Sequence, residues 1–330
     1  MTELASITED PGLEALLAAA SALAGGAVIT VAEAPARDGR SRPLLLDERT
    51  VGHVHFDAAV PDELAALVCA SLEMTLRGAQ QHASRARAAQ ELAIGRDIQR
   101  SLLPRRFPEI EGWRFAADYE PAREVGGDLY DVFRVRGSGA EVALLIADVT
   151  GKGVPAALLM ADTKALLHAA ADNADDPADA MTRVNRILTL ERRSSLFVTA
   201  ALAEVDASTG VLRLASAGHE PPLLVGEGGK VEQIRAGGPI LGAFAGAKYD
   251  LGDCRVAAGE SVVLYTDGIT DTRDEGGAFY GERRLLALLA DLGGLEPDDL
   301  QAAVLDDVRS FRGEAEVFDD LTILVARREA

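Results

Sequence analysis

The sequence predicts a layered α+β domain, two sheets packed between helices, preceded by a small α/β unit and a helical connector. Three observations carry this. Beyond Pro104, apolar runs of strand length recur between Gly-containing turns such as "DASTG", with helical stretches standing among them. From Asp62 to Leu103 the chain is nearly free of Pro and rich in Ala, Leu, Arg, Gln and Glu, the composition of a long helix. Ahead of that helix, short β-rich runs follow a single helical stretch.

In chain order, Gly12 to Leu23 reads as a helix, and Ala27 to Glu33, Pro43 to Leu46 and Val51 to Phe56 as strands, with the polar turn "ARDGRSR" after the first. Residues 1–75 show no polar cluster pointing to chemistry, so this unit reads as sensory or structural. In the long helix, Cys69, Leu72, Leu76, Ala79, Ala83 and Ala86 alternate steps of three and four, the spacing of a coiled-coil seam. Such a helix either dimerises weakly or packs on its own domain. Leu92, Ile98, Leu102 and Leu103 restore strong apolar positions before Pro104 ends it, so residues 76–105 form the linker.

Residues 106–330 then form the main domain. Its strands are read at "WRFAADYE", "GDLYDVFRV", "EVALLIAD", "SLFVTAALAEVD", "VLRLASAG", "PLLVG", "ESVVLYTD" and "LTILVAR". Its helices are "PAALLMADTKALLHAAAD", "PADAMTRVNRILTLERR", "GERRLLALLADL" and "PDDLQAAVLDDVRSF".

Composition narrows the function. A formal net charge of -20 and the lack of any Lys/Arg block argue against a nucleic-acid or anionic-membrane surface. Cys69 and Cys254 lie far apart without metal-like spacing, as in a reduced cytoplasmic protein. The charge-free run from Ala15 to Ala32 is broken by Gly25-Gly26, which suits a helix ending there followed by a strand better than a bilayer span. "MTELASITED" offers no basic region of a signal peptide.

The chemistry is in acids placed at strand ends. "EVGGDLYDVF" sets two glycines against Asp128, where the backbone is barest. "EVALLIADVTGKGVP" runs a strand into Asp148 and then turns through Gly151 and Gly153. "ESVVLYTDGITD" runs a strand into Asp267, with Asp271 four residues on, and "FDDLTIL" places Asp319 and Asp320 just before a strand. Any one of these is ordinary turn chemistry. Together they need positive charge between them, because converging carboxylates repel. Oxygen donors without a His or Cys cluster select magnesium or manganese over zinc. Two such ions ~3.5 to 4 Å apart could activate water and clamp a phosphate. A phosphate-binding Walker loop is excluded at "VTGKGVP", because Gly153 stands where Ser or Thr must follow Lys152; Lys152 is expected to be solvated.

In order, "ELAIGRDIQRSLLP", "PAREVGGDLYD", "IADVTGKGVPAALLMA", "SAGHEPPLL", "YTDGITD" and "FDDLTIL" resemble the SpoIIE-like branch of the PPM (type 2C) metal-dependent serine/threonine protein phosphatases, over about Glu91 to Arg327. The resemblance implies an α-β-β-α sandwich and a protein phosphatase. It implies that Asp148 bridges two divalent metals, Mn or Mg, and that Asp267 and Asp319 complete one of them. Asp128 serves the other, directly or through water, with the carbonyl of Val149; Asp271 matches an acid used around a further, weaker metal, though many relatives carry Glu there. Asp320 supports the site from behind. A metal-bridging water then attacks phosphoserine or phosphothreonine in line. Arg123 is either a phosphate fork or a surface arginine, and His219 either a general acid or a structural turn residue. Tyr130 is expected to pack.

The resemblance further implies a GAF-like sensory region, a dimerising linker that switches the enzyme, and a phosphorylated STAS-domain anti-sigma-factor antagonist as substrate in partner-switching control. Two rivals remain at this point. One is a catalytically silent scaffold of the same fold, against which all the core acids are present; the other is a hydrolase of small phosphoesters.

Overall fold

The structure is a computed structural model that describes residues 11–23, 27–35, 40–46, 49–135, 142–190 and 196–329. The helix end expected at Gly25-Gly26 and most of the "ARDGRSR" turn lie outside the described residues. The chain divides into two compact units, Met1–Glu91 and Leu92–Ala330. The division falls inside one long helix rather than at either end of it. No helix among the described residues is long and apolar enough to cross a membrane.

The first unit comprises α1 (Pro11–Leu23), β1 (Ile29–Ala32), β2 (Ser41–Leu46), β3 (Arg49–Phe56) and the first part of α2 (Asp62–Leu102). Its antiparallel sheet has the order β1-β3-β2, with Ile29 opposite Phe56. Leu44 and Val54 are fully buried against Leu72 of the helix, beside Val68, Cys69 and Leu76. The first members of the predicted seam are thus spent on this unit's own core. From Ala79 to Glu91 every residue is exposed, including Ala83 and Ala86. Helix persists there because Ala, Arg, Gln and Glu are strong intrinsic helix formers.

The second unit holds two five-stranded antiparallel sheets. One has the order β10-β9-β12-β13-β4, from β4 (Trp113–Glu120), β9 (Leu223–Val225), β10 (Val231–Gln233), β12 (Ser261–Tyr265) and β13 (Leu321–Arg328). The other has the order β11-β8-β7-β6-β5, from β5 (Leu129–Arg134), β6 (Val142–Val149), β7 (Val198–Val205), β8 (Val211–Ala217) and β11 (Leu251–Arg255). The helices are α3 (Val154–Ala171), α4 (Pro177–Leu190), the short α5 (Asp267–Asp271), α6 (Gly281–Asp291) and α7 (Pro297–Arg312). Strands β10 and β11 and helix α5 were not foreseen; each is short, and β11 alternates exposed and half-buried positions.

Strand alternation builds the layers. In β12, Val262 and Leu264 belong to the core shared by the two sheets, with Leu324 and Ala326 of β13, whereas Val263 and Tyr265 face Leu285, Leu289, Leu300 and Val304 of α6 and α7. On the far side, Met160 and Leu167 of α3 and Met181 and Val184 of α4 cover the second sheet. Each fully buried aliphatic side chain contributes roughly 1.5–3 kcal/mol. The result is helix, sheet, sheet, helix. Acids at the ends of β6 and β12, and just ahead of β5 and β13, are set on this rigid frame.

Candidate active site

Asp320, the residue before β13, organises the site. Its Oδ1 accepts the backbone N–H of Ala122 at 2.7 Å, and its Oδ2 accepts those of Gly127 at 2.7 Å and Asp128 at 3.4 Å. The glycines are demanded by contact: a Cβ on Gly126 would lie 1.9 Å from Asp320 Oδ2 and 2.1 Å from the Tyr119 hydroxyl. On Gly127 it would lie 2.7 Å from the Val149 carbonyl and 3.3 Å from Asp148 Oδ1. On Gly268 it would meet the Asp320 carbonyl at 1.9 Å. The bare backbone of "GGD" therefore lets Asp128, Asp148 and the Val149 carbonyl come together.

Asp128 is buried, and its Oδ2 accepts hydrogen bonds from the hydroxyls of Thr266 at 2.8 Å and Thr322 at 2.5 Å. Burial, then the charges of Asp148 and Asp320, push its carboxyl well above the ordinary range, against the pull of those two hydroxyls. Asp148 is pushed up to about 6, first by burial and then by Asp267, with Asp319 and Asp320 adding to it. Asp267 is raised by burial, then by Asp319 and Asp271. Asp128, Asp148, Asp267 and Asp319 are thus electrostatic neighbours, and Asp271 lies close enough to add its charge.

This is under-compensated negative charge from hard oxygen donors, which fits divalent cations of the magnesium or manganese type. Among the described residues, no three acidic, imidazole or thiol groups already surround a single point. The residues that would hold cations are Asp128, Asp148, Asp267 and Asp319 with the Val149 carbonyl. Asp271, at the exposed end of α5, stands at the margin.

Other expectations divide. Lys152 is not simply solvated: its ammonium stands 3.1 Å from Asp319 Oδ1, donates to the Phe318 carbonyl, and lies 4.6 Å from the centre of the Phe318 ring. An acid far along the chain, just ahead of β13, holds it, which the local sequence does not reveal. His219 is buried with Nδ1 2.8 Å from the Thr199 hydroxyl, and burial pushes its imidazole down to about 4. Tyr130 is buried with its ring 6.4 Å from that of Phe107. Arg123 is exposed on the loop that Asp320 fastens.

Several participants were missed. Gln99, in the last turn of α2, is buried and binds both backbone groups of Gly126, at 2.7 Å to the carbonyl and 3.2 Å from the N–H. Thr266 and Thr322 were legible as hydroxyls beside Asp267 and Asp320, but nothing in the sequence aims them at Asp128. Glu220, next to His219, is raised by burial and then by Asp267, Glu282 and Asp271, so it faces the same acids.

Two antiparallel sheets between helices, with acids gathered at strand ends, define the class: this is the fold of PP2C-type phosphatase domains. The chain belongs to the Stage II sporulation protein E (SpoIIE) family, whose model matches residues 138–329. It is 28% identical over 256 residues to phosphoserine phosphatase RsbU of Bacillus subtilis (strain 168), across 77% of this chain and 73% of that one. It is likewise 28% identical over 265 residues to Protein IcfG of Synechocystis sp. (strain ATCC 27184 / PCC 6803 / Kazusa), across 72% of this chain but only 41% of that protein's length. Among solved structures, the SiaA-PP2C domain of Pseudomonas aeruginosa matches with a TM-score of 0.65 at 24% identity, covering 74% of this chain and 98% of that one. The RsbU and RsbW domains of Rv1364c from Mycobacterium tuberculosis match with a TM-score of 0.59 at 26% identity, covering 68% and 62%.

Proposed function

We propose that this chain is a metal-dependent protein serine/threonine phosphatase. The observation that carries the reading is the run of carboxylates from Asp128 through Asp148 to Asp267, raised by burial and mutual repulsion on a corner where Gly126 and Gly127 admit no side chain. A pair of divalent cations, Mn or Mg, supplies charge neutralisation and an activated water when bound. The chain's own residues do the rest. Asp128, Asp148, Asp267, Asp319 and the Val149 carbonyl hold that charge, with Asp271 as an outer acid. Thr266 and Thr322 fix the orientation of Asp128. Arg123, on the exposed rim, offers a donor fork to the phosphate. His219 stays neutral and positions the turn.

The substrate is a phosphorylated STAS-domain anti-anti-sigma factor, a reading supported by the likeness to RsbU and to the RsbU and RsbW domains of Rv1364c. Residues 1–75 act as a GAF-like sensory domain, residues 76–105 as a linker through which two copies pair in the cytoplasm, and residues 106–330 as the phosphatase domain. The fully exposed stretch from Ala79 to Glu91 is consistent with that pairing. The deciding experiment is phosphate release from a small aromatic phosphate ester, titrated with manganese and then magnesium, with Asp267→Asn alongside. Metal-dependent turnover lost in the variant supports the enzyme; equal turnover in both removes the metal assignment.

A further inference from the structure

Beside Asp319 the surface carries a row of alternating cations and rings. Lys152 lies over Phe318 at 4.6 Å, Arg273 lies 5.5 Å from the same ring, and Arg273 lies 4.5 Å from Phe279. Phe318 is 61% exposed and Phe279 53% exposed, a large apolar outlay on the rim of an acidic centre. The two cations differ. Lys152 is committed to Asp319, whereas among the described residues the Arg273 guanidinium has only the two rings as partners, its backbone pairing with that of Phe279 in a β-bridge.

Among the described residues none of the nearby acids Asp271, Asp274 and Glu275 forms an ion pair with Arg273; Asp271 faces the acids of the centre, adding its charge to Asp267 and Glu220, and the other two are engaged elsewhere. Asp274 Oδ1 accepts the N–H groups of Gly276 and Ala278, both at 2.9 Å, and Glu275 Oε1 accepts that of Glu314 at 3.2 Å. A guanidinium set over two rings, which accept none of its N–H groups in a conventional hydrogen bond, keeps donors for an oxyanion. In a chain of net charge -20, such an unspent cation marks a place where a negative partner is tolerated.

We infer that Arg273, clamped by Phe279 and Phe318, is the docking point for an acidic side chain of the phosphoprotein substrate, close in sequence to the phosphorylated residue. This rests on the phosphatase reading. Phe318 adjoins Asp319 in the chain, so a phosphoryl group at the carboxylates leaves the neighbouring substrate residues over this row. Extended chain advances about 3.3 Å per residue, and Arg273 and Asp319 share the neighbours Phe318 and Lys152, so the recognised acid lies within a few residues of the phosphoserine. The rings take the intervening backbone and Arg273 takes the carboxylate. Arg123 stays assigned to the phosphate itself.

The test uses the full chain and two synthetic phosphoserine peptides, one with glutamates flanking the phosphoserine and one with glutamines, besides the small aromatic ester. The native chain should prefer the acidic peptide by about tenfold in kcat/KM, the size of a charge-assisted contact. Arg273→Ala should abolish that preference through KM, and Arg273→Lys should restore part of it, while turnover of the small ester is unchanged. A native chain indifferent to the flanks, or a variant that keeps the preference, overturns the inference and leaves the phosphatase intact. Loss of small-ester turnover in the native chain with every metal would instead strike the phosphatase reading. Fluorescence anisotropy of the labelled acidic peptide gives a readout without turnover: equal binding by the native chain and Arg273→Ala also overturns it.

Discussion

Gln99 and Gly126 hold each other by two hydrogen bonds, the Gln99 amide nitrogen donating to the Gly126 carbonyl at 2.7 Å and the Gly126 N–H donating to Gln99 Oε1 at 3.2 Å. The end of α2 is therefore tied to the backbone two residues before Asp128. Gln99→Leu keeps the volume and leaves both groups of Gly126 unpaired. We expect a loss of about 1–3 kcal/mol in urea unfolding and weaker manganese binding by calorimetry. Manganese affinity equal to that of the native chain would show that the tie does not reach Asp128.

Asp320→Asn tests the brace on the same corner. The carboxylate accepts on both oxygens, and an amide can accept on only one. The N–H of Ala122 or of Gly127 loses its partner. The expected cost is about 1–3 kcal/mol, visible as a lowered urea midpoint, with weakened metal affinity. A variant as stable as the native chain would mean water replaces the lost acceptor.

Glycines of the second unit and of the linker helix should respond oppositely to a methyl group. Gly126→Ala puts a Cβ on Asp320 and Tyr119, so we expect about 1–3 kcal/mol of destabilisation and loss of metal-dependent turnover. Gly78 lies within α2 with nothing inside 4 Å of its added Cβ. Gly78→Ala should gain about 0.5–1 kcal/mol. Thermal unfolding of both reads the contrast.

Asp148→Asn and Asp267→Asn should fold and lose turnover at saturating manganese, because each removes charge without core volume. They also carry a pH signature in the metal-free protein. Asp148 is raised in the folded state to about 6, so its ionisation destabilises the fold above that pH. Its contribution improves as pH falls through about 6 toward its unfolded value. The stability difference between Asp148→Asn and the native chain should therefore be larger at pH 7.5 than at pH 5. A constant difference would place Asp148 in an ordinary, solvated setting.

His219, held down to about 4, is neutral across the usual assay range. A pH–rate profile should show no limb near pH 6.5 that disappears in His219→Asn. Such a limb, lost in the variant, would reinstate the ring as a general acid.

Much of the architecture was legible because its signals are local. The stretches 142–147 and 323–326 within β6 and β13 are apolar throughout, and Pro177 and Pro297 open helices where the first N–H groups need no partner. The short β11 carries Gly252 and Asp253, too weak a pattern to announce a strand without β8 beside it. The acids could be named as a set because each interrupts a strand or a turn. The roles of Gln99, Thr322 and Lys152 depend on partners 27, 194 and 166 residues away, and no window of sequence contains both ends of such a contact.

The packing of Gly126, Gly127 and Gly268 around Asp320, Asp148 and Val149 also bears on descent. Each of the three admits no side chain while the others stay in place. A single substitution suffices to close the corner. Once it has closed and Asp320 or Tyr119 has drifted to fill the gap, reversal requires several coordinated changes. Activity in a lineage carrying this chain is thus easier to lose than to regain.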